Sequence, residues 1–226
     1  YWVLPRLYRR LQAQELTGQA AETMQRLKGV YRHVWSRNQM LLRWFAEAIQ
    51  TLQTAGIPVV VLGGVGLVSL PGADLGSRRV DDGALWVPLE RLPAAIAGLQ
   101  SLGWEPTRPF APQSVGRWRT GLSLRRGQYT LPLCWRVLPE CPRLGAAGAG
   151  LPGQRVSVGP VEAIALSPTE QLLVCCVEAT RWQPRPPFYA LADAAMLIQN
   201  YPIDWQRLLA LAHQYQLTLT LQTALH

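Results

Sequence analysis

The chain has 226 residues, of which 49% are apolar and 16% are charged, and its formal net charge is +8. This apolar content excludes disorder as the main state, and 18 Pro with 19 Gly in no three-residue period exclude a coiled coil and a collagen-like chain. The basic residues are 21 Arg and one Lys, and they concentrate in residues 1–50 and 108–143, with net charges of +5 and +6. We therefore expect a basic face and an anionic partner, an acidic protein or a nucleic acid.

The N-terminal segment is predicted to be helical. A short basic stretch, residues 5–11, predicts one helix, and apolar residues at spacings of three, four and seven predict a long amphipathic helix from Glu22 to Gln53. Arg37-Asn38 interrupts the apolar stripe of the long helix. Gly56 is expected to end this helix in the left-handed conformation.

The middle of the chain predicts a mixed α/β core. A continuous apolar run predicts a strand over residues 57–62, followed by a glycine turn and a short helix over 67–70. A second strand is expected at 84–88 and a helix at 91–102, ended by Gly103. Further short strands are predicted at 118–120, 122–125, 129–137 and 155–158, with a linker at 144–154.

The C-terminal segment is predicted to be helical again. Ser167-Pro168-Thr169-Glu170 predicts a capping box that starts a helix through Ala179. Two more helices are expected at 189–199 and 204–215, the second with Asp204 as its N-cap. The element order predicts an α+β fold in three segments, 1–54, 55–160 and 161–226, packed as one unit.

The longest uncharged stretch, residues 48–73, contains two Pro and five Gly and predicts soluble structure, so we expect no transmembrane segment. The four Cys, at 134, 141, 175 and 176, lack the spacing of a metal site. We interpret them as free thiols and expect a cytoplasmic protein.

Two local patterns suggest phosphate or metal chemistry. The glycine turn at 63–66 follows a buried strand, but Ser69 stands where a dinucleotide fingerprint needs its third glycine. Asp81 and Asp82 precede the second strand, where carboxylates could bind Mg²⁺. Adjacent strand residues point to opposite faces, so the two carboxylates are not expected to share one metal, and the position two beyond Asp82 is Ala84.

Several motifs in order resemble the uncharacterised bacterial nucleotidyltransferase family of the DNA polymerase beta superfamily. They are Arg37-Asn38, Ala55-Gly56-Ile57-Pro58-Val59, Leu62-Gly63-Gly64, Arg78 four residues before Asp82, the run Leu166 to Leu173, Ala192-Asp193 and Ile203-Asp204-Trp205. The resemblance implies a small mixed sheet with flanking helices, on which two or three carboxylates bind Mg²⁺ for nucleotidyl transfer. It also implies nucleotide binding at Gly63, Gly64 and Arg78.

The sequence departs from the family at the positions that carry the chemistry. Gly63 replaces the turn lysine, Ala84 the second carboxylate of the pair, and Glu178 the helix histidine. Pro132 and Cys134 replace the later Asp and His. Asp82 remains, with Asp81 beside it, as vestigial candidates for catalysis, and Asp82 as the candidate for a metal. We therefore expect a nucleotidyltransferase-like pseudoenzyme that acts as a non-catalytic binding or assembly subunit and needs no cofactor.

Three alternatives stay open. The first is an active Mg²⁺-dependent nucleotidyltransferase that uses Asp82, Asp81 and either Asp74 or Glu178 as substitute carboxylates. The second is a nucleic-acid-binding protein whose basic and aromatic side chains interleave along the strands; its arginines are Arg117, Arg119, Arg125 and Arg126. The third is a subunit of a larger assembly, suggested by nine Trp and the low charged fraction.

Overall fold

The computed structural model describes residues 3–12, 14, 19–108, 120–138, 141, 153–181 and 188–225. The helices are α1 (Leu4–Leu11), α2 (Gln19–Thr54), α3 (Gly63–Val68), α4 (Leu92–Ser101), α5 (Pro168–Thr180), α6 (Phe188–Asn200), α7 (Trp205–Gln214) and α8 (Thr218–Leu225). The strands are β1 (Val60–Leu62), β2 (Ala84–Trp86), β3 (Glu105–Pro106), β4 (Gly121–Arg126), β5 (Tyr129–Cys134), β6 (Gly153–Val158) and β7 (Val161–Leu166).

The seven strands form one mixed sheet in the order β3-β4-β5-β2-β1-β7-β6. Strand β1 pairs with β2 antiparallel and with β7 parallel, and β2 pairs with β5 parallel. The inner face contributes fully buried Val61, Leu85 and Leu133 to a core that also contains residues of α2, α4, α5, α6, α7 and α8. The predicted α+β class is confirmed, with helices before and after the sheet.

The helices before and after the core lie close to their predicted places. The long helix spans Gln19–Thr54, and Gly56 follows it at φ +66°. Asp204 caps α7, because its side chain accepts a hydrogen bond of 2.9 Å from the backbone N–H of Arg207. Helix α8 was not predicted.

The capping box at α5 takes a different form from the expected one. The helix begins at Pro168 as predicted, but the Ser167 hydroxyl donates to the Glu170 carboxylate and does not accept a hydrogen bond from a backbone N–H. Glu170 is buried and pairs with Arg207 at 2.5 Å. Its carboxylate therefore ties α5 to α7.

The core elements are shorter than predicted, and the glycine turn is already helical. The first strand covers only Val60–Leu62. Helix α3 starts at Gly63 instead of residue 67: Leu62 is still extended, and the chain turns into the helix at Gly63, whose φ is +64°. The second strand ends at Trp86, and a 3₁₀ turn over Leu89–Arg91 precedes α4.

The β-rich part also differs in detail. Strand β5 ends at Cys134 and not at residue 137. Strand β7 was missed, although its apolar alternation after the Gly159-Pro160 turn is typical of a hairpin. Of the predicted linker at 144–154, residues 144–152 lie outside the described residues, and Gly153 and Gln154 belong to β6. Residues 118 and 119 of the predicted strand also lie outside them.

Within the described residues, no helix is both long and apolar enough to cross a membrane. All four cysteines are free thiols, and Cys141, Cys175 and Cys176 are buried.

Candidate functional site

The glycine turn between β1 and α3 packs directly against Arg78 and Asp82. A Cβ atom on Gly63 would lie 1.9 Å from the Asp82 carbonyl oxygen, and φ +64° already disfavours any other residue there. A Cβ atom on Gly64 would lie 2.1 Å from Arg78 Nη1 and 2.3 Å from Asp82 Oδ1. The structure thus brings these four predicted site residues together, and the space that the two glycines leave is filled by Arg78 and Asp82.

Arg78 is the centre of this site. Its Nη1 and Nη2 donate to the two Asp82 carboxylate oxygens at 3.0 and 2.9 Å, a bidentate arrangement. Its Nε and Nη2 donate to Asp193 on α6 at 2.7–2.9 Å. The side chain is 11% exposed. Burial alone lowers the pKa of Arg78, but Asp82 and Asp193 outweigh it and raise this pKa above its ordinary value.

Asp193 also binds the N-terminal helix. Arg6 on α1 donates to Asp193 Oδ1 at 2.7 Å and to the Ala192 carbonyl at 2.8 Å. The carboxylate is 6% exposed, so two guanidinium groups compensate one nearly buried charge. Sequence reasoning noted Asp193 only through the family resemblance, because it lies 115 residues from Arg78 along the chain.

Asn38 on α2 holds the backbone on which Arg78 sits. Its amide nitrogen donates to the carbonyls of Leu75 and Arg78 at 2.8 and 2.6 Å, and its oxygen accepts from the Val80 N–H at 3.1 Å. Asn38 is completely buried. The polar break in the apolar stripe of α2 therefore fixes the loop before β2, a role that the sequence signalled but did not define.

Asp81 faces away from Asp82, as the adjacency of the two residues predicted. It pairs with Arg37 at 2.6 Å and with Arg79 at 2.9 Å. Arg37 also donates to the Val80 carbonyl at 2.9 Å. Asp81 is thus part of a separate ion cluster on the α2 side of the loop.

Asp74 belongs to a third cluster. It accepts from the Tyr31 hydroxyl at 2.7 Å and from the Gly76 N–H at 3.0 Å, and it pairs with Arg9 at 2.5 Å. Burial and the hydrogen bond to Asp74 raise the pKa of Tyr31 to about 12. These contacts connect Asp74 to α1 and α2.

Glu178 on α5 is the further carboxylate that faces Asp82. Its pKa is raised, first by burial and next by the negative charge of Asp82, while Arg181 and Arg78 oppose the shift. The negative charge of Asp82 therefore acts on Glu178, one of the proposed substitute carboxylates.

The outer face of the sheet is apolar where the family resemblance places catalytic groups. Ala84 lies opposite Leu62 in the register, and Cys134 lies opposite Trp86. These four side chains form one cluster with Leu166. Burial raises the pKa of Cys134 to about 12, so its thiol stays protonated near neutral pH.

The residues present do not fit the Mg²⁺ ion that the fold implies. Mg²⁺ requires carboxylate oxygens free to approach it at about 2.1 Å, whereas both oxygens of Asp82 accept hydrogen bonds from Arg78. The adjacent guanidinium also repels a cation. In the described part of the chain, no group of three or more His, Cys, Asp and Glu side chains could hold a metal ion.

The predicted arginine face is only partly within the described residues, since Arg117 and Arg119 lie outside them. Arg126 stacks over Trp44, 4.4 Å from the ring centroid, and pairs with Glu47 at 3.1 Å. The Tyr129 ring packs on Trp44 at 5.2 Å. Arg126 and Tyr129 therefore contact the protein itself, whereas Arg125 is exposed.

The mixed sheet, the glycine turn and the flanking helices define a nucleotidyltransferase fold. Among solved structures, the crystal structure of ANT(2″)-Ia in complex with adenylyl-2″-tobramycin is similar, with a TM-score of 0.57 and 12% identity over 78% of this chain and 97% of that chain. The chain belongs to the uncharacterised nucleotidyltransferase family, whose model matches residues 2–226.

Two further structures are similar with lower TM-scores. An antigenic nucleotidyltransferase-like protein from Paracoccidioides brasiliensis has a TM-score of 0.48 and 20% identity, covering 83% of this chain and 91% of that one. The lincomycin-bound lincosamide antibiotic adenylyltransferase LnuA has a TM-score of 0.45 and 14% identity, covering 66% and 91%. No curated protein matches the sequence.

Proposed function

We propose that this chain is a nucleotidyltransferase-fold protein that does not carry out metal-dependent nucleotidyl transfer and instead acts as a cytoplasmic binding or assembly subunit for an anionic partner. The observation that carries the proposal is the Arg78 guanidinium, which binds both oxygens of Asp82 and also Asp193. A positive group of the protein itself compensates the charge that a metal ion would otherwise neutralise.

The surroundings of Asp82 support the same proposal. Gly63 cannot be exchanged for the family's turn lysine on this backbone, because its φ is +64° and the Asp82 carbonyl occupies the Cβ position. Ala84 and Cys134, at the other family positions, belong to an apolar cluster. Metal-assisted phosphoryl chemistry needs several anionic ligands free to bind one ion, whereas Asp82 and its neighbour Asp193 are both bound by the Arg78 guanidinium.

An assembly role is supported by the surface of the C-terminal helices. Helix α6 buries Ala190, Ala194 and Leu197, yet its opposite side exposes Phe188, Leu191 and Ile198. Apolar side chains grouped on the exposed side of a helix are typical of a surface that another protein covers. A partner that covers this side of α6 would remove it from water.

A second candidate function is an active transferase that uses substitute carboxylates. The pKa of Glu178 is raised first by burial and next by the charge of Asp82, which supports an interaction between these two carboxylates. Release of Asp82 from Arg78 would have to precede metal binding in this case. Asp81 and Asp74 add little support, since each is paired with arginines elsewhere.

The two candidates are separated by nucleotide transfer. Purified protein is incubated with each α-³²P-labelled nucleoside triphosphate and Mg²⁺ or Mn²⁺, with protein, RNA and aminoglycoside acceptors, beside the Asp82→Asn and Asp81→Asn variants. We expect no label transfer above that of Asp82→Asn. Transfer that is lost in Asp82→Asn would overturn the proposal, and its persistence or loss in Asp81→Asn would show whether Asp81 takes part.

A further inference from the structure

The α4–β3 turn and the β4–β5 hairpin line an open, shallow cleft at the edge of the sheet, remote in sequence from the Asp82 site. Its volume is about 340 Å³. The lining residues are Gly103, Glu105, Pro106, Thr107, Arg125, Arg126 and Gly127. Two arginines against one carboxylate make the lining positive.

Arg125 is positioned to bind an anion in this cleft. Its Nε donates to the Gly127 carbonyl at 2.8 Å, and this is its one hydrogen bond to the part of the chain that the structure describes. The bond fixes the side chain against the hairpin and leaves both terminal nitrogens for a ligand. A guanidinium held in this way presents two parallel N–H donors, the geometry that matches phosphate oxygens.

Arg126 contributes a fixed positive charge. It stacks on Trp44 and pairs with Glu47, so its side chain is immobilised and 34% exposed. A Cβ atom on Gly103 would lie 3.9 Å from its Nε, which places Arg126 against the α4–β3 turn. Because an immobilised charge loses little entropy on binding, it favours a ligand more than a free surface arginine does.

Glu105 is the acidic residue in the lining of the cleft, and its charge opposes the binding of an anion. It lies directly opposite Arg125 in the β3–β4 register. No ion pair joins these two described residues within 4.0 Å, so the carboxylate does not occupy the guanidinium. Its negative charge is expected to weaken anion binding without blocking it.

We propose that this cleft binds a phosphate group through Arg125; Arg126, which points to the other face of β4 and stacks on Trp44, adds positive charge at the rim of the cleft. A phosphate is favoured over a stacked nucleobase, because the Trp44 ring is already covered by Arg126 and contacted by Tyr129. The cleft is separate from the Asp82 site, so phosphate binding there does not depend on whether the chain transfers nucleotides.

Inorganic phosphate is titrated into the full chain at constant ionic strength, and the amide signals of Gly103 and Gly127 are followed by ¹H–¹⁵N NMR. We expect saturable shifts in the wild type. Arg125→Ala should raise the Kd about tenfold, the loss typical of a charge-assisted hydrogen-bond pair, and Glu105→Gln should lower it about fivefold at low salt. The matched control is Arg155→Ala, an exposed strand arginine on the opposite edge of the sheet, which should leave the Kd unchanged.

A short oligothymidylate in competition identifies the source of the phosphate group. Displacement of inorganic phosphate supports a nucleic-acid backbone as the ligand, and binding of phosphate without displacement supports a small phosphorylated molecule. Shifts that do not saturate, equal shifts with sodium chloride, or equal loss in Arg125→Ala and Arg155→Ala would overturn the proposal.

Discussion

At the scale of single residues, Arg78 determines what the site can be. Replacing it with Ala leaves the Asp82 and Asp193 carboxylates without their shared partner, and breaking a buried ion pair costs about 3–5 kcal/mol. We expect Arg78→Ala to lower the free energy of unfolding by about that amount in urea denaturation, and Arg78→Lys by less, because lysine keeps the charge without the planar fork. The control is Arg26→Ala, which removes an ion pair with Glu22 in which the Arg26 side chain is 79% exposed. A loss for Arg78→Ala no larger than for Arg26→Ala would contradict the central role of Arg78.

Gly64 tests the close contact of the glycine turn with Arg78 and Asp82. A methyl group at Gly64 would overlap both side chains, so Gly64→Ala should destabilise the protein by about 1–3 kcal/mol, the usual range for overpacking. Gly29→Ala on α2 has no atom within 4 Å of the new methyl group and should stabilise the protein by about 0.5–1 kcal/mol. Urea denaturation of both variants and of the wild type measures the two changes in the free energy of unfolding. Equal effects of the two substitutions would show that the space at Gly64 is not filled as described.

At the scale of elements, strand β5 makes a prediction about alkaline pH. The pKa of Cys134 is about 12 in the folded chain against 9.0 for an ordinary thiol. The unfolded chain therefore loses this proton first, so the contribution of Cys134 to stability is full below pH 9 and is lost as the pH rises toward 12. We expect the free energy of unfolding to fall between pH 9 and 12 in the presence of a reducing agent, and Cys134→Ala to reduce that fall. Identical pH profiles for Cys134→Ala and the wild type would show that the pKa of Cys134 is not raised in the folded chain.

The elements also indicate how far the sequence predicts this fold. Helix α1 was predicted from a short basic stretch and α2 from its apolar periodicity, whereas α4, α5 and α7 were predicted with the help of the residues that begin or end them. Strands of two or three residues, such as β1 and β3, have too few positions for a pattern. Gly63, Gly64, Arg78 and Asp82 were predicted as one group through the family resemblance. That Arg78 bridges Asp82 to Asp193 depends on a contact between α6 and the loop before β2, which no local pattern contains.

At the scale of the whole molecule, the ion clusters join segments that are distant in sequence. Arg6 connects α1 to α6, Arg78 connects the core to α6, and Glu170 connects α5 to α7. We expect the three segments to unfold together, so that far-ultraviolet circular dichroism and tryptophan fluorescence follow one coincident urea transition. Two separated transitions would show that the N-terminal or C-terminal helices fold independently of the sheet.

We propose that the Arg78 guanidinium takes the role of a metal ion at Asp82. Metal binding tests this proposal directly, because the acceptor substrate does not have to be known. Mn²⁺ is titrated into the wild type and the Asp82→Asn variant, and bound metal is measured by electron paramagnetic resonance with and without ATP. We expect no Asp82-dependent binding up to about 1 mM Mn²⁺, a threshold that corresponds to about −4 kcal/mol. Stoichiometric Mn²⁺ binding in the wild type that disappears in Asp82→Asn would contradict it.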